Sequence, residues 1–141
     1  MRIIRQAAPL LRASDTPSII NISSVAGRLA YAMRTPYAAS KRAIVGLTNS
    51  LAKEMGPAGV RVNAILPGIV EGPRMEGVIK ARAESAGVSF EEMRETYLES
   101  ISLRRMVKPQ DIASMALHLC SPAGGNTSSQ AISICGDVET L

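Results

Sequence analysis

Ser18 to Lys41 reads SIINISSVAGRLAYAMRTPYAASK, and the change of pattern along it decides the fold. Ser18 to Ser23 is a short apolar, β-branched run with Asn21 inside it, which predicts a buried strand; Val25 to Thr35 carries a glycine and changing polarity, which predicts a loop. Thr35 is placed to cap the helix that follows, with Pro36 at its first position, where a missing N–H leaves no bond unmade. Within that helix Tyr37 and Lys41 stand four residues apart. They lie one turn above each other on the same face, so their polar tips can serve one site.

That geometry has a chemical use. A phenol is a poor acid or base at neutral pH, but an ammonium one helical turn away favours the phenolate. Tyr37 beside Lys41 is therefore a candidate general acid/base. Ser24, at the exit of the strand, is placed to hydrogen-bond the same oxygen that Tyr37 would protonate, holding a carbonyl or an alcohol in place.

An isolated Tyr-x-x-x-Lys is a weak signal, because such a pair on an exposed helix face is more often simply solvated. The context changes this. Ser24 lies thirteen residues before Tyr37, the strand reads IINISS, and Tyr37 is followed by AASKRAIVGLTNSLAKE. Together these closely resemble the classical short-chain dehydrogenase/reductase family, in which Ser, Tyr and Lys at this spacing form the active site. The resemblance implies Tyr37 as acid/base, Ser24 orienting the carbonyl, and Lys41 acting on the phenol and holding the nicotinamide ribose.

Downstream, the helix beginning at Pro36 runs to Met55, with Ala39, Ile44, Leu47, Leu51 and Met55 as its core face and Gly56-Pro57 ending it. Val60 to Leu66, VRVNAIL, is too short for a helix and predicts a buried parallel strand. Strand, crossover helix and strand make a βαβ unit, the building block of doubly wound α/β folds. Pro67 and Gly68 follow that strand directly, where ligands sit in an open α/β sheet. This resembles the family's Pro-Gly turn, whose backbone approaches the nicotinamide, and implies Ile69 and Val70 for the backbone and apolar contacts. Gly72 stands where the family often has a Thr for the carboxamide.

Residues 73–102 read as two helices, Pro73 to Ala86 and a second that opens on Ser89 with Glu92 as a capping box. They resemble the family's mobile substrate lid. Met75, Val78, Ile79, Met93, Tyr97 and Leu98 fit an apolar substrate wall and core packing equally well. Pro109 to Cys120 predicts a helix with Ile112, Met115, Ala116 and Leu119 inward and His118 at the surface. Gln130 to Ile134 looks like the family's last strand, with Ser129 where a Gly is usual and Cys135-Gly136-Asp137 where Asp-Gly-Gly is usual; a strained or reshaped turn is expected there. At the other end, Met1 to Arg12 predicts a helix with an apolar stripe of Ile3, Ile4, Ala7, Ala8 and Leu11, matching the second half of the long helix that precedes the family's Ser-bearing strand.

Composition bounds the remaining possibilities. The chain has 141 residues, 46% apolar and 20% charged, enough for one domain with a real core. Aromatic content of 3% and a scattered net charge of +4 argue against nucleic-acid binding. Cys120 and Cys135 are expected as free buried thiols, no metal-ligand spacing is present, and no stretch suits a membrane span, so a cytoplasmic protein is expected.

The expected fold is α/β: a single incomplete Rossmann-type domain over residues 1–141, a doubly wound parallel sheet of about three strands with flanking helices. The cofactor implied by the resemblance is NAD or NADP at its nicotinamide end only, because no Gly-rich phosphate turn occurs in the chain. The implied substrate is a small-molecule alcohol or ketone, and the implied assembly a homo-oligomer, dimer or tetramer. A second reading is a non-enzymatic remnant that keeps only oligomerisation surfaces. A chain of this length is expected to bind NADH or NADPH weakly or not at all. Titration calorimetry with both cofactors checks this, and micromolar binding would contradict it.

Overall fold

The structure, a computed structural model, describes residues 2–138. Met1, where the expected leading helix began, lies outside the described residues. In chain order the elements are α1 (Arg2–Arg12), β1 (Ser18–Ile22), α2 (Thr35–Met55), β2 (Arg61–Pro67), α3 (Pro73–Ala86), α4 (Phe90–Glu99), α5 (Pro109–Cys120) and β3 (Ala131–Ile134). Short 3-10 turns at Val25–Gly27, Gly56–Ala58 and Pro122–Gly124 join them.

The three strands form one parallel sheet in the order β1-β2-β3. Ser18 lies opposite Arg61 and Ile22 opposite Ile65, while Ala64 faces Ala131 and Pro67 faces Ile134. β2 is therefore central, and Val62 to Leu66 are completely covered. This is why VRVNAIL is a continuous apolar run rather than an alternating one. The one polar residue among Val62 to Leu66, Asn63, is fully buried but satisfied: its Nδ2 donates to the Thr127 carbonyl at 2.8 Å and its Oδ1 accepts from the Gln130 N–H at 3.0 Å. A buried amide is tolerated only on such terms, since an unmade bond there costs about 1–3 kcal/mol.

α2 covers one face. Its Leu51, Ala52 and Met55 pack with Val60 and Val62, and Ile4, Ala8 and Leu11 of α1 close over the same cluster. The helix is also tied to β1 by a relay in which Asn21 donates to Thr48 at 2.9 Å and Thr48 to the Ile44 carbonyl at 2.8 Å. A second cluster of Ile79, Leu98, Ile101, Met106 and Val138 seats α3 and α4 against the body. Each fully buried aliphatic side chain of this kind contributes about 1.5–3 kcal/mol. Ser89 and Glu92 form the expected capping box, and the hydrogen bonds from Ser89 hold the Glu92 carboxyl below its ordinary range.

Several expectations shift. α2 begins at Thr35 with Arg34 in the cap position and no side-chain cap bond. Thr35 is already helical because the Ala38 N–H reaches back to the Arg34 carbonyl at 2.9 Å. Ile3 leaves the predicted stripe of α1 for solvent, at 80% exposure, and Leu10, outside that stripe, is 76% exposed. Neither cysteine is buried: Cys120 is exposed and Cys135 half-buried, because Leu119 rather than Cys120 takes the inward position at the end of α5. Both departures from the family pattern near the last strand carry left-handed backbone, with φ 61° at Ser129 and 62° at Asp137.

For a residue with a Cβ the left-handed region costs about 1–2 kcal/mol, which glycine avoids at the expense of its greater freedom when unfolded. Ser129→Gly is therefore expected to raise stability by about 0.5 kcal/mol. Denaturant unfolding checks it, and a clearly lowered midpoint would show that the 3.4 Å contact of the Ser129 hydroxyl with Asn49 outweighs the backbone strain.

Candidate active site

The site begins where β1 runs out. The Ser23 N–H still pairs with the Ile65 carbonyl at 2.8 Å, after which the chain leaves the sheet through the turn at Val25–Gly27. The Ser23 hydroxyl donates to the backbone carbonyl of Lys41 in α2 at 2.8 Å. Gly27 lies against the same peptide: a Cβ on it would stand 2.9 Å from the Lys41 carbonyl oxygen and 3.0 Å from Ser23 Oγ. Only glycine permits so close an approach. The strand exit is thus clasped onto α2 at the residue that carries the ammonium.

Ser24 sits between these two contacts, extended at φ −166°, with its Oγ accepting from the Ala26 N–H at 3.2 Å. Its own hydroxyl proton stays available. Lys41 Nζ lies 5.6 Å from the centre of the Tyr37 ring. Ser24 and Tyr37 line one cleft of about 640 Å³ together with Gly68, Ile69 and Val70. Lys41 lies over the Tyr37 ring and is not among the residues lining the cleft. Pro67 closes β2 opposite Ile134 and supports the turn from below. Among the described residues no hydrogen bond joins Ser24 to Tyr37, so both hydroxyls are free to meet a third oxygen between them. Such bonds commonly tighten only when substrate is present.

The turn after β2 is equally constrained. The Gly68 N–H donates to the Ile134 carbonyl at 2.9 Å, and a Cβ on Gly68 would fall 2.7 Å from that of Cys135. Val107 then donates to the Ile69 carbonyl at 2.8 Å and accepts from the Glu71 N–H at 2.9 Å. This bridge passes over Val70, whose N–H and C=O make no hydrogen bond among the described residues. A donor and an acceptor side by side at the cleft suit a carboxamide such as that of nicotinamide. Gly72 has φ 140°, so a Thr at this position would be strained; the departure from the family's residue is built into the backbone.

The apolar stripe of α3 and α4 divides. Met75, Val78, Met93 and Tyr97 face the cleft, whereas Ile79 and Leu98 are buried in the second core cluster. Sequence reasoning missed Tyr31, Arg34 and Arg82, which also line the cleft. One signal was there to find: the chain has only three tyrosines, and all three, Tyr31, Tyr37 and Tyr97, meet at this cleft. Tyr31 packs edge-on to Tyr37, ring centres 6.2 Å apart at 81°. Burial pushes the Tyr97 phenol above its ordinary range, opposed by the charges of Arg82 and Arg34. No three His, Cys, Asp or Glu side chains gather as metal ligands among the described residues, and no helix among them is long and apolar enough to cross a membrane.

Comparison with known proteins places these features in a wider set. The family model described as enoyl-(acyl carrier protein) reductase matches residues 1–136. The chain is 34% identical over 134 residues to the 3-oxoacyl-(acyl-carrier-protein) reductase of Thermotoga maritima, covering 95% of this chain and 50% of the relative. A variant of the actinorhodin polyketide ketoreductase crystallised with NADPH superposes with a TM-score of 0.86 at 31% identity, over 99% of this chain and 52% of that one. A 7α-hydroxysteroid dehydrogenase complexed with NADH superposes at 0.82 and 30% identity, over 96% and 49%. The chain spans about half the length of the curated relatives it matches.

The clasp is open to test by a single methyl group. Gly27→Ala places a Cβ inside contact distance of backbone that cannot rotate away, and overpacking of this kind costs about 1–3 kcal/mol. Denaturant unfolding together with chemical shifts around Ser24 and Lys41 measures the effect. An unchanged midpoint and unchanged shifts would show that the turn does not depend on the close approach.

Proposed function

Because the chain belongs to the short-chain dehydrogenase/reductase family, we propose that it carries the proton-transferring, nicotinamide-facing part of an oxidoreductase that interconverts a small-molecule alcohol and ketone. The observation that carries this reading is the presence of two hydroxyls that donate to no other described residue, Ser24 and Tyr37, in a cleft that also offers the free N–H and C=O of Val70.

In this reading the Ser24 hydroxyl donates to the substrate carbonyl oxygen and fixes its position. Tyr37 gives its proton to the same oxygen as negative charge gathers there, and takes it back in the reverse direction. The ammonium of Lys41, close to the Tyr37 ring, favours the charge left on the phenol oxygen. It is also the group that would hold the nicotinamide ribose. Val70 would hold the carboxamide through its backbone, with Gly68 and Ile69 beneath it and Pro67 fixing the turn. Bound NAD or NADP supplies or accepts the hydride. Residues 73–102 act as the substrate lid, their Met75, Val78 and Met93 excluding water from one side.

Two further parts of the reading concern setting. The exposed Ile3 and Leu10 of α1 support a homo-oligomer, dimer or tetramer, by isologous contact, and the protein is placed in the cytoplasm. The exposed Ile3 and Leu10 fit a second reading as well, that of a non-enzymatic remnant that keeps only oligomerisation surfaces.

A form of the chain joined to an N-terminal nucleotide-binding half separates the two. With NADPH or NADH and a ketone substrate, turnover is expected, and Tyr37→Phe is expected to lower kcat about 100- to 10,000-fold with the fold retained, the range that a positioned general acid supplies. Wild-type turnover in Tyr37→Phe would remove Tyr37 from the chemistry, and an inactive parent would favour the remnant.

A further inference from the structure

We propose that the cleft takes a substrate bearing an anionic group, a carboxylate or a phosphate, seated between Arg34 on the body and Arg82 on α3. The identity of the reacting end of that substrate rests on the oxidoreductase reading above; the anion seat stands on its own geometry.

Arg34 caps α2 three residues before Tyr37, and its guanidinium carbon lies 5.7 Å from the centre of the Tyr31 ring. Tyr31 in turn packs edge-on to Tyr37, which places the cation two ring contacts from the proposed proton donor. Across the cleft, the guanidinium carbon of Arg82 lies 5.4 Å from the centre of the Tyr97 ring. Both arginines line the one cleft that also holds Tyr97, Arg34 from the start of α2 and Arg82 from α3.

Neither arginine is spent on a carboxylate among the described residues. Among the described residues the one ion pair is Arg94 with Glu95, away from the cleft lining. A guanidinium stacked over an aromatic ring is held in orientation by its face while the N–H fork along its edge stays open, which is the geometry that takes a carboxylate or phosphate in a bidentate grip. Arg74 adds a third cation to the lining and Glu71 a single anion. The balance is positive, and two like charges brought together across a cleft repel until an anion lies between them. Met75, Val78 and Met93 offer the intervening carbon chain an apolar wall. One end of the ligand meets Ser24 and Tyr37, the other the two arginines. Because Arg82 belongs to α3, engaging the anion would also draw the helical pair 73–102 toward the body.

The test is calorimetric titration of the chain, without cofactor, by three probes: acetoacetate, its neutral counterpart methyl acetoacetate, and dihydroxyacetone phosphate. At least one charged probe is expected to bind about tenfold more tightly than the ester at low ionic strength, where such contacts are least screened. The tighter of the two charged probes identifies the group as carboxylate or phosphate. That advantage is expected to fall to near parity in the double variant Arg34→Gln/Arg82→Gln and to be partly kept in Arg34→Lys/Arg82→Lys. Both side chains are solvent-exposed, so these variants are expected to fold. Equal binding of ester and anions, no binding of any probe at millimolar concentration, or an advantage that survives the glutamine pair would each overturn the proposal. Since the titration requires neither cofactor nor hydride transfer, its outcome is independent of whether the oxidoreductase reading holds.

Discussion

The contact of the Ser23 hydroxyl with the Lys41 carbonyl, backed by Gly27 lying on the same peptide, is the constraint from which the rest of the site follows. It fastens the end of a strand to the second turn of a helix. Ser24 is the residue after the hydroxyl donor, Tyr37 is one turn before the acceptor, and Lys41 is the acceptor residue itself. Fixing one bond therefore fixes the relative placement of three side chains that sit up to seventeen positions apart in sequence. The turn is held from its other side as well, since Arg28 reaches β3 and donates to the Ser133 hydroxyl at 3.1 Å. Positioning of this sort, by packing and by hydrogen bonds to backbone, is what allows a shallow site to keep its geometry without a metal or a disulfide.

The sheet supplies the second constraint. Parallel strands present their carboxyl ends on one edge, and the chain must leave each of them through a turn on that edge. Here the two turns that matter, Ser23–Gly27 and Pro67–Val70, follow neighbouring strands, so they face each other by topology alone. Both rely on a glycine where a Cβ would collide with backbone or a neighbouring Cβ. α3 and α4 are anchored by Ile79 and Leu98 against Ile101, Met106 and Val138. Ile69 of the turn after β2 packs against this same cluster, so the two helices and the cleft floor share one apolar support.

Much of this was legible in the sequence, and the boundary of what was legible has a physical cause. β1, α2 and β2 could be read from Ser18 to Leu66 because period and local chemistry act within a few residues, as did the Ser89 and Glu92 cap. The placement of Ser24, Tyr37, Gly68, Ile69 and Val70 around one cleft followed from topology once a parallel βαβ unit was inferred. What could not be read depends on approach between distant segments. The apolar residues of α3 and α4 have one spacing, yet Ile79 is buried while Val78 faces the cleft, and only the packing angle of the helices decides which. Arg34, at the start of α2, and Arg82, in α3, are far apart in sequence, and their meeting at one cleft leaves no local mark. The shift of the α2 cap from Thr35 to Arg34 is of another kind: the preceding loop already presents the Arg34 carbonyl to Ala38, so the helix gains a residue that capping preference alone would have refused.

The central claim is that the Ser23 clasp, rather than the sheet as a whole, holds the site. Hydrogen exchange resolved by residue in Ser23→Ala tests it most directly. Gly27, Arg28 and Leu29 donate to Ser24 and Val25 carbonyls at 2.8 Å within the turn, and their amides report on it, while the amides of Val62 to Leu66 report on the buried strand. The account predicts that protection falls at residues 27–29 and is kept across β2. Unchanged protection in the turn, or an equal loss in both places, would contradict it.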